Sequence, residues 1–368
     1  MPRTRAPRVR GVVTVSLQLT LMLSDQRAAP TAAGRPARAY LPQLDGLRAL
    51  AVAFVFIHHF VPGAKWFGGS IGVDIFFVLS GFLITGILLG EIAKHGGIRF
   101  RRFTGRRLVR LYPPLIAAVV VVGVAAIFLA PDFRQFLVSS AFALTYTTPF
   151  AVEFTSTLTQ YWRHTWTLGI EELFYLVWPL VLLLTFRRGT RQRTVATWAA
   201  AAGALLLGSG IALEAVQLHA PYLLRSGGLL LGCCLAIALR DRTARVPGWW
   251  GWAGAALLAG ALAVASYAEF VGVTLAVAGT IALLPVLVHR GNAALTRGLT
   301  QPVLVYLGRI SYELYLWHYA IITLVFAATE IPVVETAWLT LPASVALAAA
   351  SHALLAPRID RWKARLPY

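Results

Sequence analysis

Charged residues and cysteines are both scarce in this sequence of 368 residues. Only 13% of the residues are charged, whereas soluble globular chains carry about 25%, and this excludes an ordinary water-soluble domain. The two cysteines, Cys233 and Cys234, are adjacent within an apolar run. Neither disulfide geometry nor a metal-ligand spacing is available to them, so we expect packing or lipid-facing residues.

Long apolar stretches make up most of the sequence, and 58% of its residues are hydrophobic. A membrane-spanning helix needs roughly 20 mostly apolar residues, and such stretches recur from Leu44 to Pro357. The pattern predicts an all-α polytopic bundle of about ten transmembrane helices in the cell membrane. The predicted spans are 46–62, 71–90, 112–130, 169–186, 195–213, 221–239, 250–267, 270–288, 310–328 and 337–356.

The formal net charge of +18 would fit a nucleic-acid partner if the basic residues formed one patch. Instead, the arginines cluster in alternate loops between the predicted spans. Such loops face the cytoplasm, which places both termini inside and makes the lipid bilayer, not nucleic acid, the expected partner. The basic loops are 91–111, 187–194, 240–249, 289–309 and the tail from 357.

The apolar stretch 134–150 could be an eleventh span, but one more crossing would place every later basic loop outside. We therefore expect a short interfacial or re-entrant helix within an external segment, 131–168.

Three regions are predicted along the chain. Residues 1–43 form a basic, disordered cytoplasmic extension, with a secretory signal or short anchor as the alternative for the apolar stretch Val12–Leu23. Residues 44–357 form the membrane domain, and residues 358–368 form a basic cytoplasmic tail.

Ionisable residues inside spans cost about 2.5–3.5 kcal/mol each and therefore indicate function. Arg48 and His59 are eleven residues apart, so they share one helical face and lie about 16 Å apart along the axis. His59 suits a general base, although a snorkelling arginine and a structural histidine are the alternative. The neighbouring His58 lies about 100° round the helix, and either histidine could face the site.

Three carboxylates lie at or near span entrances: Asp74 in the second span, and Glu171 and Glu172 at the start of the fourth. Each could serve as a charge partner for the general base or contact substrate. The structural alternatives are a buried ion pair or a cap that holds two helices together for Asp74, and interaction with the helix dipole for the two glutamates. Arg225, also within a span, is a lesser candidate for an internal counter-ion or a substrate contact.

Arg107 and Arg110 precede the third span, with Pro113 and Pro114 constraining the helix behind them. Guanidinium groups bind phosphate oxygens in a bidentate way, so this pair could hold the phosphates of coenzyme A. Positive-inside bias alone is the alternative.

Further along, one helical face carries Ser311, Tyr315 and His318, with Tyr312 beside them. They could contact substrate or form an interfacial aromatic belt. The eight histidines show no metal-ligand spacing with cysteine or acidic residues, and no metal is expected.

Five segments resemble the signature segments of the acyltransferase 3 family, in the order found there. They are LDGLRAL with HH (44–50 and 58–59), GVDIFFVLSGFLIT (72–85), RRLVRLYP (106–113), HTWTLGIEELFYLVWP (164–179) and LGRISYELYLWH (307–318). The resemblance implies a ten-helix enzyme that takes an acyl group from cytoplasmic acyl-CoA. Acetyl-CoA is the expected donor, and a hydroxyl of a sugar in a surface glycan or glycosylated metabolite is the expected acceptor.

The resemblance also implies roles for individual residues. Arg48 and His59 match the arginine and histidine of the family's first span, Arg107 and Arg110 its donor-associated arginines, and Glu171 its glutamate. The last segment contributes Ser311, Tyr312, Tyr315 and His318.

This sequence departs from the family pattern at three positions. Thr167 stands where serine is usual, Gly169 replaces a small polar residue, and Leu173 lacks the amide that is frequent there. Many bacterial members carry a further extracytoplasmic domain, and a stand-alone form is expected here.

The expected mechanism is direct acyl transfer. His59 deprotonates the acceptor hydroxyl, Glu171 or Asp74 orients the imidazole, and the arginines hold the nucleotide. The alternative is a multi-span transporter or flippase of a glycan-like substrate, in which Asp74, Arg225 and the paired glutamates line a path.

Overall fold

Every regular element in the described part of the chain is helical. The computed structural model describes residues 40–61, 69–154, 157–240 and 246–366, so the predicted extension lies outside the described residues except for 40–43. The helices are α1 (Pro42–Phe60), α2 (Gly72–His95), α3 (Phe100–Leu129), α4 (Phe133–Leu144), α5 (Thr148–Phe154), α6 (Trp166–Arg187), α7 (Gln192–Ala215), α8 (Gly227–Leu239), α9 (Trp249–Val264), α10 (Glu269–Val288), α11 (Ala293–Leu299), α12 (Pro302–Arg309), α13 (Ser311–Thr329) and α14 (Val333–Arg365). Short 3₁₀ segments lie at Gly69–Ile71, Thr157–Thr165 and Tyr222–Ser226.

Seven helices of the described part are long and apolar enough to cross a membrane, and α12 with α13, bent by 68°, makes an eighth candidate. The chain is therefore a multi-pass membrane protein. Each of the ten predicted spans overlaps a helix, but α1 and the 16-residue α9 are not among the seven.

Two predicted spans are parts of longer helices. The third was expected to begin at residue 112, whereas α3 begins at Phe100 and contains both Pro113 and Pro114. Arginine and leucine favour helix, so the basic segment before the prolines extends the helix beyond the predicted span. At the other end of the chain, α14 continues to Arg365, which makes the first part of the predicted basic tail helical.

The external segment predicted to be re-entrant folds back along α3. The ring of Phe136 lies 3.1 Å from the position of a Cβ on Gly123, and the Tyr112 hydroxyl donates to the Leu144 carbonyl at 3.0 Å. Because one residue number rises as the other falls, α4 runs antiparallel to α3. The 3₁₀ segment Thr157–Thr165 returns along α4, where the Trp162 backbone and indole N–H groups donate to two serines of α4, Ser139 and Ser140.

This hairpin leaves α2 and α6 running in the same direction. Ser80 contacts Glu171, and five residues further along α2, Thr85 accepts a hydrogen bond from Trp178 at 2.8 Å. Residue numbers rise together along the pair. A segment between α3 and α6 that enters and leaves the membrane on the same side also makes α2 and α6 parallel. The alternation of the basic loops requires the same arrangement.

Glycines bring α2 and α8 into close contact. A Cβ on Gly81 would overlap the backbone carbonyl of Leu229, and a Cβ on Gly232 would overlap that of Val78. The two helices therefore approach at backbone distance, as small residues permit inside membranes.

Candidate functional site

A cavity of about 240 Å³ lies among α1, α2, α3, α6 and α13. Three arginines line it together with one glutamate, and we call it the arginine cavity. Its polar lining consists of Arg48, Ser80, Arg107, Arg110, Thr167, Glu171, Tyr175, Ser311, Tyr312 and Tyr315. Phe76, Phe77, Leu83, Ile84 and Ile87 are among its apolar residues.

A second cavity, of about 390 Å³, contains three histidines, and we call it the histidine cavity. Its polar lining consists of His58, His59, Ser70, Arg163, His164, Tyr222, Arg225, Ser266, Glu269, Tyr315 and Tyr319. Val55, Val73, Trp166 and Ala265 complete the wall.

The two cavities lie toward opposite ends of α1. The N-terminal parts of α1, α3 and α13 contribute Arg48, Arg107 and Ser311 to the arginine cavity. The histidine cavity instead receives residues from the beginnings of α2, α6 and α10, and from the last turn of α1. Arg48 and His59 thus lie on one helix but line different cavities.

Val73 and Tyr315 line both cavities, and we call this junction the neck. The Tyr315 hydroxyl donates to the backbone carbonyl of His164 at 2.7 Å and lies 2.9 Å from the Thr167 hydroxyl. Two hydrogen bonds therefore hold the ring of Tyr315 in place. Any group passing from one cavity to the other meets this ring and the Val73 side chain.

His59 is oriented by its own helix. Its Nδ1 lies 2.8 Å from the Val55 carbonyl, which can only accept a hydrogen bond, so Nδ1 carries the proton and Nε2 is the basic nitrogen. The ring packs edge-on against His318 and Tyr319, with centroid distances of 5.2 and 5.5 Å. A backbone carbonyl thus contacts the Nδ1 of His59, and a role of Glu171 or Asp74 in orienting this imidazole stays a prediction.

His58 and His59 both line the histidine cavity, so the choice between them that the sequence left open is not an exclusive one. Their rings are perpendicular, with centroids 5.0 Å apart. His318 is fully buried behind His59, and its Nδ1 lies 3.1 Å from the Leu314 carbonyl. His59 and His318 therefore have the same tautomer.

The three predicted donor arginines line one cavity, each in a different setting. Arg48 pairs with Asp45 at 3.1 Å. The guanidinium of Arg107 lies 3.2 Å from the centroid of the Tyr175 ring and 4.0 Å from Glu172. Arg110 is exposed toward the cavity.

The predicted carboxylates separate into three environments. Glu171 lines the arginine cavity and accepts a hydrogen bond from Ser80 at 2.7 Å. Glu172 faces Arg107. Asp74 is fully buried and pairs with Arg225.

Arg225 connects three elements at the wall of the histidine cavity. Its Nε and Nη2 bind Asp74 at 3.2 and 2.5 Å, its Nη1 binds Glu269 at 2.9 Å, and its Nη2 also donates to the Ser70 carbonyl at 3.1 Å. The ion-pair alternative for Asp74 and the counter-ion role for Arg225 are the arrangements observed.

The segment beginning α13 contributes to both cavities. Ser311 and Tyr312 line the arginine cavity, and the Tyr312 hydroxyl donates to the Leu111 carbonyl at 2.7 Å.

Tyr146, in the turn between α4 and α5, packs at right angles to Tyr112. Burial raises the pKa of the Tyr146 phenol, so this aromatic group remains neutral.

Sequence reasoning missed His164, although it lies in a quoted segment. Its side chain is buried, lines the histidine cavity and stacks on Tyr319 with centroids 4.7 Å apart. Neither ring nitrogen makes a well-formed hydrogen bond to another described residue. Since the 3₁₀ segment that positions His164 has no simple periodicity, the only signal was a histidine beside a span entrance.

No group of three or more histidine, cysteine or acidic side chains suited to a metal ion occurs within the described ranges.

The fold and the site define a multi-helix membrane protein in which an arginine cavity and a histidine cavity share two lining residues. The sequence pattern described as "Acyltransferase domain" matches residues 41–355, and the chain belongs to this acyltransferase 3 family.

Two curated relatives illustrate the similarity. The peptidoglycan O-acetyltransferase OatA of Listeria monocytogenes is 32% identical over 336 residues, which cover 81% of this chain and 52% of that protein. The O-acetyltransferase OatA of Staphylococcus aureus is 30% identical over 325 residues, covering 80% and 53%. The chain thus spans about half the length of these relatives. No solved structure matches it.

Proposed function

We propose that this chain is a membrane O-acyltransferase that moves an acyl group from acyl-CoA to a sugar hydroxyl, with His59 as the general base. The main support for this proposal is that the two cavities share Val73 and Tyr315 as lining residues. A donor bound among the arginines and an acceptor bound among the histidines would approach each other only there.

The arginine cavity fits the chemistry of coenzyme A. Arg48, Arg107 and Arg110 provide cations for its phosphates, and guanidinium groups bind phosphate oxygens through paired hydrogen bonds. The apolar side chains one turn from Val73 on α2, Phe76 and Phe77, suit the less polar arm that carries the thioester. Acetyl-CoA is the proposed donor.

In the reaction, the acceptor hydroxyl donates its proton to Nε2 of His59 as its oxygen attacks the thioester carbonyl. A carbon–oxygen bond forms, the carbon–sulfur bond breaks, and the coenzyme A thiolate leaves and takes up the proton. Oriented general-base catalysis of this kind contributes about 10²–10⁴ in rate. The hydrogen bond from Nδ1 to the Val55 carbonyl keeps the reactive nitrogen in the basic form.

The carboxylates have supporting roles in this proposal. Glu171, held by Ser80, lies on the donor side and balances the charge of the arginines. Glu172 positions Arg107. Asp74 acts through Arg225, which it holds at the wall of the histidine cavity, and is a positioning residue.

The acceptor is proposed to be a glycan or glycosylated metabolite bound in the histidine cavity. The relatives' names specify peptidoglycan for one of them, which makes a peptidoglycan-like sugar the first acceptor to test. His164, Tyr319 and Arg163 line this cavity and are the proposed acceptor contacts. On α13, Ser311 and Tyr312 line the arginine cavity, and His318 packs against His59.

For the membrane topology, we propose ten spans in the plasma membrane with both termini in the cytoplasm. Residues 44–357 form the membrane domain, 1–43 a basic extension and 358–368 a basic tail. The alternate arginine-rich loops support this arrangement, and so does the parallel course of α2 and α6. Labelling of single cysteines placed in successive loops, from either side of sealed vesicles, tests the count and the orientation.

The decisive experiment follows coenzyme A release from acetyl-CoA by the purified protein in detergent, with glycan and glycosylated-metabolite acceptors. We expect acceptor-stimulated release that falls at least about 100-fold in His59→Ala. The matched control is His289→Ala, because His289 is exposed at the end of α10. Equal rates for wild type and His59→Ala would remove the general-base role.

Because Val73 and Tyr315 line both cavities, the same chain in proteoliposomes also tests the transporter alternative. Movement of a glycan-like substrate without acyl-CoA, together with no acetyl-CoA binding, would contradict the enzyme proposal.

A further inference from the structure

Val73 and Tyr315 are the only part of the described cavity walls that both cavities share. We propose that these two side chains select the donor by the length of its acyl group, admitting short groups and rejecting longer ones. This inference rests on the proposed function and adds a specificity role to it.

The position of the reacting carbon follows from the arrangement of the groups around it. The thioester carbonyl must face the histidine cavity to meet a hydroxyl beside His59, while coenzyme A remains among the arginines. The acyl group is bonded to that carbonyl, so it lies in the neck, against the Val73 side chain and the Tyr315 ring.

Tyr315 cannot readily move aside to make room. Its ring is 7% exposed, and its hydroxyl is held by the His164 carbonyl and Thr167. Displacing it would break two buried hydrogen bonds at about 1 kcal/mol each or more.

The opposite wall is equally constrained. Val73 stands between Gly72, where any Cβ would overlap the Ala51 carbonyl of α1, and Asp74, which Arg225 binds with two nitrogens. The first turn of α2 is therefore fixed against α1 on one side and against Arg225 on the other.

Apolar residues fill the space behind the neck. Val55, Phe77, Trp166 and Leu168 belong to the same buried cluster as Val73 and Tyr315. An additional methylene in a packed site costs about 1–3 kcal/mol, and one methylene changes enzyme discrimination by about 10–200-fold. Longer acyl groups are thus excluded by packing.

The test compares acetyl-, propionyl- and butyryl-CoA with wild type, Val73→Ala and Val73→Ile. Val73→Ala removes two carbons from the neck, and we expect the ratio of kcat/KM for butyryl-CoA over acetyl-CoA to rise at least about tenfold. Val73→Ile adds one carbon, and the ratio should fall. The matched control is Val78→Ala on the same helix, since Val78 is fully buried in a different cluster and should leave the ratio unchanged.

A ratio is used because partial unfolding lowers all three rates in proportion and cannot change it. If wild type transfers acyl groups but both Val73 variants keep its chain-length profile, the selector role is overturned while the enzyme proposal stands. If wild type releases no coenzyme A from any of the three donors with any acceptor, the proposed function itself is overturned.

Discussion

The hydroxyl oxygens of Thr167 and Tyr315 lie 2.9 Å apart at the neck between the two cavities. Because the Tyr315 proton goes to the His164 carbonyl at 2.7 Å, Thr167 is the donor toward the tyrosine oxygen. A hydroxyl at position 167, where serine is usual in the family that the sequence resembles, therefore holds the ring that lies between the two cavities.

Thr167→Val should loosen this ring without changing the volume of the side chain much. Loss of one hydrogen bond of about 1 kcal/mol is expected to lower kcat about fivefold, measured as initial coenzyme A release at saturating donor. Thr167→Ser keeps the hydroxyl and should retain most of the wild-type rate. Indistinguishable rates for the valine and serine variants would show that the contact is unimportant for transfer.

Arg110→Ala should weaken donor binding. A hydrogen bond to a charged group is worth about 1.5–3 kcal/mol, so the KM for acetyl-CoA is expected to rise about tenfold or more, with the acceptor KM unchanged. Arg193→Ala is the control, because Arg193 is exposed on α7 and belongs to neither cavity wall. A donor KM that responds equally to both substitutions would argue for a general charge effect.

Asp74→Asn should destabilise the protein, because it leaves the buried guanidinium of Arg225 short of a charge partner. Breaking a buried pair from one side costs about 3–5 kcal/mol, measurable as a lower melting temperature in detergent. The double variant Asp74→Leu with Arg225→Met replaces the pair with apolar groups and should recover most of that stability. Because Arg225 also lines the histidine cavity, we expect this double variant to have a higher KM for the acceptor; wild-type kinetics in it would contradict the positioning role of Asp74.

His164→Ala should affect the acceptor and not the donor. Its imidazole faces the histidine cavity, and loss of a hydrogen bond to substrate is expected to raise the acceptor KM about tenfold. The KM for acetyl-CoA should stay within about twofold of wild type. His289→Ala again serves as the control, and an equal change in both KM values would contradict a role specific to the acceptor.

Periodicity correctly predicted which of the candidate residues share one helix. Arg48 and His59 do lie on the single helix α1, and Ser311, Tyr315 and His318 do lie along α13. Helical geometry is local and regular, so such spacings can be read directly. Roles assigned to these residues remain predictions that the experiments above test.

Contacts between distant parts of the chain could not be predicted in this way. Asp74 and Arg225 are 151 positions apart, and the sequence allowed Asp74 to be either an ion-pair partner or a support for His59. The position of His164 also depends on the hairpin made by α4 and the 3₁₀ segment after α5. No repeating sequence pattern predicted this hairpin.

By itself, the sequence determined that this protein is a helical membrane protein, because long apolar runs require a lipid environment and helices satisfy their own backbone hydrogen bonds there. The ordered motifs likewise indicated its family, and the arginine-rich loops predict its orientation. Only the tertiary structure decided which polar groups share a cavity and where the two cavities meet. That outcome depends on how closely helices approach at residues such as Gly72, Gly81 and Gly232, and on buried ion pairs that form only after the helices have packed.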